Sequence, residues 1–154
     1  MTVKLPPLLS PDRIQFIKKT ESQKSVYDTL TKLLTKGQCE VQEHDIFDAL
    51  IAREKLGSTC IGNGVAIPRA RLDITNPRAA LVILKKGLEI NSVDKKPVNF
   101  FLAILIPNKS DFDYTNMLSK LNTELSSEDN LSKLTSINNP ERLVECFQKL
   151  LGEL

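Results

Sequence analysis

An uninterrupted apolar run at residues 100–106, Phe-Phe-Leu-Ala-Ile-Leu-Ile, constrains the fold of this 154-residue chain more than any other feature. Successive side chains of a strand point to opposite sides of a sheet, so a strand that is apolar at every position has both faces buried. The run is also too short to cross a bilayer, which takes about 20 residues as a helix. We therefore expect a central strand in a sheet that is covered on both sides.

Amphipathic segments on both sides of this run supply the covering layers. Helical spacing of apolar residues predicts a helix over about 43–56 and a short one near 128–134. A last helix is predicted from Asn139 as N-cap and Pro140 as its first residue. A second apolar strand is expected at 79–84. Strands that lie between helices in sequence predict an α/β protein, a three-layer α/β/α sandwich with a mixed central sheet.

Three further segments have weaker local signals. Residues 13–18 are interpreted as a short first strand, and Thr20 with Gln23 as the capping box of the first helix. Ser110 and Asp113 are interpreted as caps of a later helix. The glycine-containing stretch at 57–64 is predicted to be a loop.

Composition excludes several classes of function. The formal net charge is +2, from 21 basic and 19 acidic residues, which is too balanced for nucleic-acid binding through bulk charge. Cys39, Cys60 and Cys146 form no CxxC pair, and a single histidine leaves no metal-site spacing. We therefore expect no metal, no cofactor, no nucleic acid and no membrane insertion, and reduced thiols in a cytoplasmic protein.

Residues 53–72 form the most informative motif, Arg-Glu-Lys-Leu-Gly-Ser-Thr-Cys-Ile-Gly-Asn-Gly-Val-Ala-Ile-Pro-Arg-Ala-Arg-Leu. This motif resembles the signature of the IIA domains of the bacterial phosphoenolpyruvate phosphotransferase system, in the fructose/mannitol class and its nitrogen-regulatory branch. The segment Val93-Asp-Lys-Lys-Pro-Val98 before the apolar strand is also similar to that family. The resemblance implies one IIA-type domain over residues 1–154 with the same α/β/α architecture.

The resemblance also implies a phosphocarrier, yet the residue that would carry the phosphoryl group is changed. The family has a phosphorylated histidine where this chain has Arg69, and a second histidine at the start of a later helix where this chain has Tyr114. A guanidinium group is protonated at physiological pH and offers no free lone pair to a phosphoryl group. We therefore expect a degenerate site with no catalytic residue.

The remaining motif residues suggest binding. Arg53, Arg69 and Arg71 are candidates for a cationic pocket that suits phosphate, sulfate or carboxylate groups. Ser58 and Thr59 are implied by the resemblance to be hydroxyl donors beside it. Solvated surface arginines paired with Glu54 or Asp73 are the alternative interpretation.

Two residues remain open as substitute acceptors. Cys60 lies inside the motif, where Arg53 and Arg69 are expected to lower the pKa of its thiol; a small buried side chain is the alternative. His44 is the only histidine and is the second candidate acceptor; the alternative is a solvated residue in the first turn of a helix.

The function expected from the sequence is that of a regulatory binding module of the nitrogen-regulatory type. The partners that the resemblance implies are a histidine-phosphorylated carrier protein, a sensor kinase, a transporter or a metabolic enzyme. Histidine phosphotransfer through Cys60 or His44, and a small-anion sensor built on the arginines, are the alternatives.

Overall fold

A computed structural model describes residues 8–20, 22–37, 39–90, 92, 94–109 and 114–152. Within these residues six strands form one mixed sheet. The strands are β1 (Ile14–Ile17), β2 (Cys60–Gly62), β3 (Val65–Ala66), β4 (Arg69–Leu72), β5 (Arg78–Leu88) and β6 (Val98–Pro107). The helices are α1 (Gln23–Leu34), α2 (Glu43–Leu56), α3 (Thr115–Leu125), α4 (Glu128–Thr135) and α5 (Pro140–Leu151).

Strand β6 is the centre of the sheet, as its apolar sequence predicts. The order is β1-β5-β6-β3-β2, and β4 pairs with β6 beyond the end of β3. β1 is parallel to β5, β5 is antiparallel to β6, and both β3 and β4 are parallel to β6. Alternate residues of β6 belong to two different apolar clusters, so both of its faces are buried.

Helices cover both faces of the sheet and complete the predicted three layers. Helices α1 and α2 pack on one face, in a cluster that contains Phe101 and Leu105 of β6. Helices α3, α4 and α5 pack on the other face, in a cluster that contains Phe100 and Ile104. These two faces are called the α1–α2 face and the α3–α5 face below.

Several boundaries agree with the sequence. The strand predicted at 13–18 is present at 14–17. The helix over 43–56 and the N-cap at Asn139 are confirmed, and the Asn139 side chain accepts a hydrogen bond from the Arg142 N–H. The predicted capping box at Thr20 and Gln23 is wrong. The N-cap of α1 is Ser22, whose hydroxyl accepts from the Ser25 N–H at 3.1 Å.

The predicted helix caps at Ser110 and Asp113 stay untested, and the predicted loop at 57–64 is wrong in part. Ser110 and Asp113, which were predicted to cap a helix, lie outside the described residues. The stretch at 57–64 is not all loop, because β2 begins at Cys60 and forms an antiparallel hairpin with β3. These strands have only three and two residues, too few to show a period-2 pattern in the sequence.

Candidate functional site

The motif residues meet where the turn after α2 lies against the β3–β4 segment. The Ile67 N–H donates to the Thr59 carbonyl at 3.0 Å, and this hydrogen bond joins the turn to the β3–β4 segment. The Ile104 N–H donates to the Pro68 carbonyl at 2.8 Å and places the next residue, Arg69, at the start of β4. Backbone pairing to the central strand therefore sets the position of Arg69 beside the turn at 57–59.

Glu54 fixes the conformation of this turn. Its carboxylate accepts from the Thr59 N–H at 3.1 Å, from the Thr59 hydroxyl at 2.7 Å and from the Tyr27 hydroxyl at 3.1 Å. Hydrogen bonds to an ionised group are the stronger ones in proteins, so this carboxylate ties α1, α2 and the turn together. Burial is the main cause that raises the pKa of Tyr27, with the charge of Glu54 adding to it, so Tyr27 stays a neutral donor.

The two hydroxyl residues of the motif have different surroundings. Thr59 is only 2% exposed, and its hydroxyl donates to Glu54 rather than toward an anion. Ser58 is exposed, and its oxygen accepts from the Cys60 N–H at 3.2 Å. Ser58 is therefore the hydroxyl of this pair that lies at the surface.

Arg53 and Arg69 lie within electrostatic reach of each other. Arg69 is half-buried, and its pKa is lowered first by burial and then by the charge of Arg53, while Glu54 acts in the opposite direction. Arg53 donates to the Gly57 carbonyl at 2.9 Å, which closes the end of α2. Among the described residues, the guanidinium of Arg69 has no hydrogen-bond or ion-pair partner. A half-buried cation with no partner in the described part of the chain, close to a second cation, favours an anion as its ligand.

Arg71 and Tyr114 lie on the same face of the sheet as Arg69. Arg69 is in register with Ile104 and Arg71 with Ile106, both of which belong to the α3–α5 cluster. Tyr114 precedes the first residue of α3 and is buried in that same cluster. Arg71 is exposed at the surface, whereas Tyr114 belongs to the core.

Cys60 has the surroundings of a core thiol. It is 6% exposed and lies in the α1–α2 cluster, on the opposite face from Arg69. Burial raises the pKa of its thiol; the hydrogen bond with Ser58 lowers it, and the charges of Glu54 and Asp94 raise it further. The expectation that Arg53 and Arg69 lower this pKa is wrong, because burial is its largest cause and neither arginine is among the groups that shift it.

His44 lies at the other end of α2 from the turn. Its side chain is 69% exposed and lies 3.2 Å from the Asp45 carboxylate. It precedes Arg53 by nine residues of one helix, a distance of about 13 Å at 1.5 Å per residue. The structure does not bring His44 to the arginines.

The sequence did not predict Glu54 as the centre of the site. The signal for it was its place inside the motif together with Thr59, but its other partner, Tyr27, comes from α1, 27 residues earlier. A cleft of about 520 Å³ also lies away from the arginines, at the start of β6. Its lining includes Asn63, Lys96 and Asn99.

Two features are absent from the described part of the chain. In this part, no three metal-ligating side chains cluster together. None of its helices combines the length and the apolar character needed to span a bilayer.

Comparison with known proteins identifies the family. Residues 7–150 match the model of the phosphoenolpyruvate-dependent sugar phosphotransferase system, EIIA 2. The nitrogen regulatory protein of Pseudomonas aeruginosa is 30% identical over 144 residues, which cover 93% of this chain and 94% of that protein. The crystal structure of the nitrogen regulatory protein IIA-Ntr from Neisseria meningitidis superposes with a TM-score of 0.82 at 26% identity. That match covers 94% of this chain and 97% of that one.

A more distant neighbour shares the fold. It is the mannitol IIA enzyme of Escherichia coli, solved in complex with phosphorylated mannitol IIB, with a TM-score of 0.69 at 17% identity. The match covers 91% of this chain and 94% of that one. The family match spans nearly the whole chain, and the protein therefore belongs to the EIIA 2 family of the phosphoenolpyruvate-dependent sugar phosphotransferase system, with nitrogen regulatory proteins among its relatives.

Proposed function

We propose that this protein is a nitrogen-regulatory-type IIA protein that acts by binding partner proteins and does not carry a phosphoryl group. The observation that supports the proposal is the position and burial of the Arg69 guanidinium. Its guanidinium is half-buried beside the turn at 57–59, near Arg53, and has no partner within the described residues. By resemblance to the family motif, this is the position of the phosphorylated histidine.

The chemistry of arginine argues against phosphoryl transfer at this position. An acceptor must present a lone pair in line with the leaving nitrogen, and a protonated guanidinium has none. Burial lowers the pKa of Arg69 below its ordinary value, but a guanidinium stays protonated in proteins. Cys60 is an unsuitable substitute because burial keeps its thiol neutral and it lies on the other face of the sheet.

Because Arg69 is always positively charged, the charge of the surface around it does not switch. A phosphorylated side chain carries a charge of about −1.5 to −2 at neutral pH, by analogy with the common phospho-residues, whereas arginine carries +1. Proteins of this family that switch by phosphorylation alternate between two surface charges. We infer that Arg69 keeps this surface in the cationic, unphosphorylated-like state, so that partners bind constitutively.

The surroundings of the arginines suit a protein partner. Leu56 is 85% exposed at the end of α2, and Ser58 is exposed next to it. An apolar contact beside two cations fits a partner that presents a carboxylate or phosphoryl group next to an apolar side chain. The mannitol IIA relative forms a complex with phosphorylated IIB, and we propose a protein complex for this chain as well. A carrier protein, sensor kinase, transporter or metabolic enzyme of the cytoplasm is the class of partner we propose.

The anion site is tested with inorganic phosphate and sulfate as probes. We expect millimolar phosphate or sulfate to raise the melting temperature of the wild-type protein, because a ligand that binds only the folded state stabilises it. Arg69→Gln should abolish this shift. Arg142→Gln is the matched control, because Arg142 is an exposed arginine on α5, and it should retain the shift. An equal shift in all three proteins would contradict a site at Arg69.

A further inference from the structure

Four lysines lie together at the ends of β1 and β5, at the edge of the sheet opposite to β2. Lys18 and Lys19 follow the last residue of β1, and Lys85 and Lys86 lie near the end of β5. All four are exposed. We call these residues, together with Phe16, the lysine edge.

Backbone pairing fixes the geometry of the lysine edge. Ile17 is in register with Leu84, and the Lys86 N–H donates to the Lys18 carbonyl at 2.8 Å, so the parallel ladder continues past β1. The ladder therefore places Lys18 beside Lys85, with backbones separated by about 4.8 Å. Both side chains are exposed, so their ammonium groups lie at the same edge of the sheet.

Phe16 adds an apolar contact to these cations. It is in register with Ile83, on the α3–α5 face, and it lies two residues before Lys18 in the chain, as Ile83 lies two residues before Lys85. Phe16 is 40% exposed, although the neighbouring Ile83 is only 8% exposed. The helices of this face therefore leave one aromatic ring partly uncovered next to two cations.

The charges of the lysine edge are not compensated within the described residues. No carboxylate in the described part of the chain forms an ion pair with any of the four lysines. Like charges on neighbouring strands destabilise a sheet. The net charge of the whole chain is only +2, so this edge concentrates positive charge that the rest of the molecule balances elsewhere.

We propose that the lysine edge is a second docking surface, separate from the arginine site, for an acidic protein segment that also carries an aromatic side chain. Carboxylates of the partner pair with Lys18 and Lys85, and its aromatic ring packs on Phe16. Charge complementarity is the argument for the acidic partner, and the exposed ring is the argument for a protein rather than a simple anion. This docking does not depend on Arg69, because Arg69 is in register with Ile104 and through it with Ala79 of β5, whereas Lys85 lies six residues further along β5.

Fluorescently labelled poly(Glu,Tyr) and poly-Glu are the probes that test the proposal, with fluorescence anisotropy at low ionic strength as the readout. The test variant is Lys18→Glu/Lys85→Glu. The matched control is Lys133→Glu/Lys149→Glu, with exposed lysines on α4 and α5. Both variants change the net charge from +2 to −2, because each replacement subtracts two charges. Thermal melting establishes that each variant is folded.

We expect the wild-type protein to bind poly(Glu,Tyr) more tightly than poly-Glu, and the preference to disappear in Phe16→Ser. The test variant should weaken binding by about tenfold or more, and the control should weaken it much less. Equal weakening in both variants would overturn the proposal, because net charge alone would then explain the binding. Tighter binding of duplex DNA or phosphatidylserine vesicles through the same lysines would also overturn it.

Discussion

At the scale of single residues, the site depends on the contrast between Arg69 and Glu54. Arg69 has no partner among the described residues, while Glu54 accepts three hydrogen bonds from Tyr27 and Thr59. Glu54 therefore fixes the turn beside Arg69, and the charge of Arg69 remains available for the anion that we propose. Rigidity matters here because a preformed site loses little conformational entropy on binding.

Thr59→Val tests the role of Glu54 at this scale. The change keeps the shape of the side chain but removes the donor at 2.7 Å from the carboxylate. We expect the free energy of unfolding to fall by about 1.5–3 kcal/mol, the usual worth of a hydrogen bond to a charged group. Urea denaturation measures it. Thr123→Val is the control, because that exposed hydroxyl bonds only its own helix, and it should change the free energy by less than about 0.5 kcal/mol.

Alkylation of the three thiols tests the assignment of Cys60 to the core. Burial raises the pKa of Cys60, and the thiolate is the reactive form, so this residue should react slowly near neutral pH. Cys39 and Cys146 are only partly buried and serve as internal controls. Peptide mapping after brief iodoacetamide treatment should find Cys39 and Cys146 modified and Cys60 intact until urea is added. Fast modification of Cys60 in the folded protein would contradict this assignment and would favour Cys60 as a phosphoryl acceptor.

At the scale of elements, the β2–β3 hairpin is held against β6 by close backbone approach. Gly64 has a φ of +79°, and a Cβ added there would lie 2.8 Å from Asn99 Oδ1 and 3.3 Å from the Pro97 carbonyl oxygen. Both the backbone angle and the space therefore require glycine. The hairpin in turn supplies β3, which leads into β4 and Arg69.

Gly64→Ala and Gly37→Ala form a matched pair that separates the cost of the positive φ from the cost of the steric clash. Gly37 has a similar φ of +82°, but a Cβ there would meet only Arg78 Nη2, at 3.9 Å. Both changes share the cost of a positive φ, while only Gly64→Ala adds a steric clash. We expect Gly64→Ala to lower the free energy of unfolding by about 1–3 kcal/mol more than Gly37→Ala. Equal losses in urea denaturation would show that the close approach to Asn99 carries no energetic weight.

Asp94 joins the same hairpin to the segment before β6. Its carboxylate accepts from the N–H groups of Asn63 and Lys96, and these bonds lower its pKa below the ordinary value of 3.8. A carboxyl group with a lowered pKa stabilises the fold above its unfolded pKa, and this stability is lost as the pH falls through the folded pKa. Asp94→Asn should therefore melt at a lower temperature than the wild type at pH 7, and the difference should shrink below about pH 4. Asp48→Asn, at an exposed position on α2, is the charge-matched control.

At the scale of the whole molecule, the layers could be predicted from the sequence because they depend on local patterns. The run at 100–106 and the helical spacing at 43–56 need no information from distant residues, and both elements were confirmed. The strands between Cys60 and Leu72 were missed because they are short and are defined by pairing with each other and with β6. Glu54 was missed for the same reason, since its partner Tyr27 lies 27 residues away.

The family resemblance placed Arg69 at the position of the phosphorylated histidine, and only the fold shows which residues surround it. Sequence alone could not distinguish a solvated arginine from one that is half-buried near Arg53. It also could not place Cys60 on the opposite face, because which face a residue occupies follows from strand register. The proposed function therefore requires that the surface around Arg69 binds partners and does not carry phosphate.

Intact-mass spectrometry tests that claim most directly. Wild-type protein and Arg69→His are each incubated with phosphoenolpyruvate, the first enzyme of the phosphotransferase system and its histidine carrier protein. The account predicts no added phosphate on the wild-type protein, because its acceptor position has no lone pair to offer. A phosphate on Arg69→His alone would show that the carrier still docks and that only the acceptor is missing. A phosphate on the wild-type protein would contradict the account, and mapping it to Cys60 or His44 would establish a working phosphocarrier.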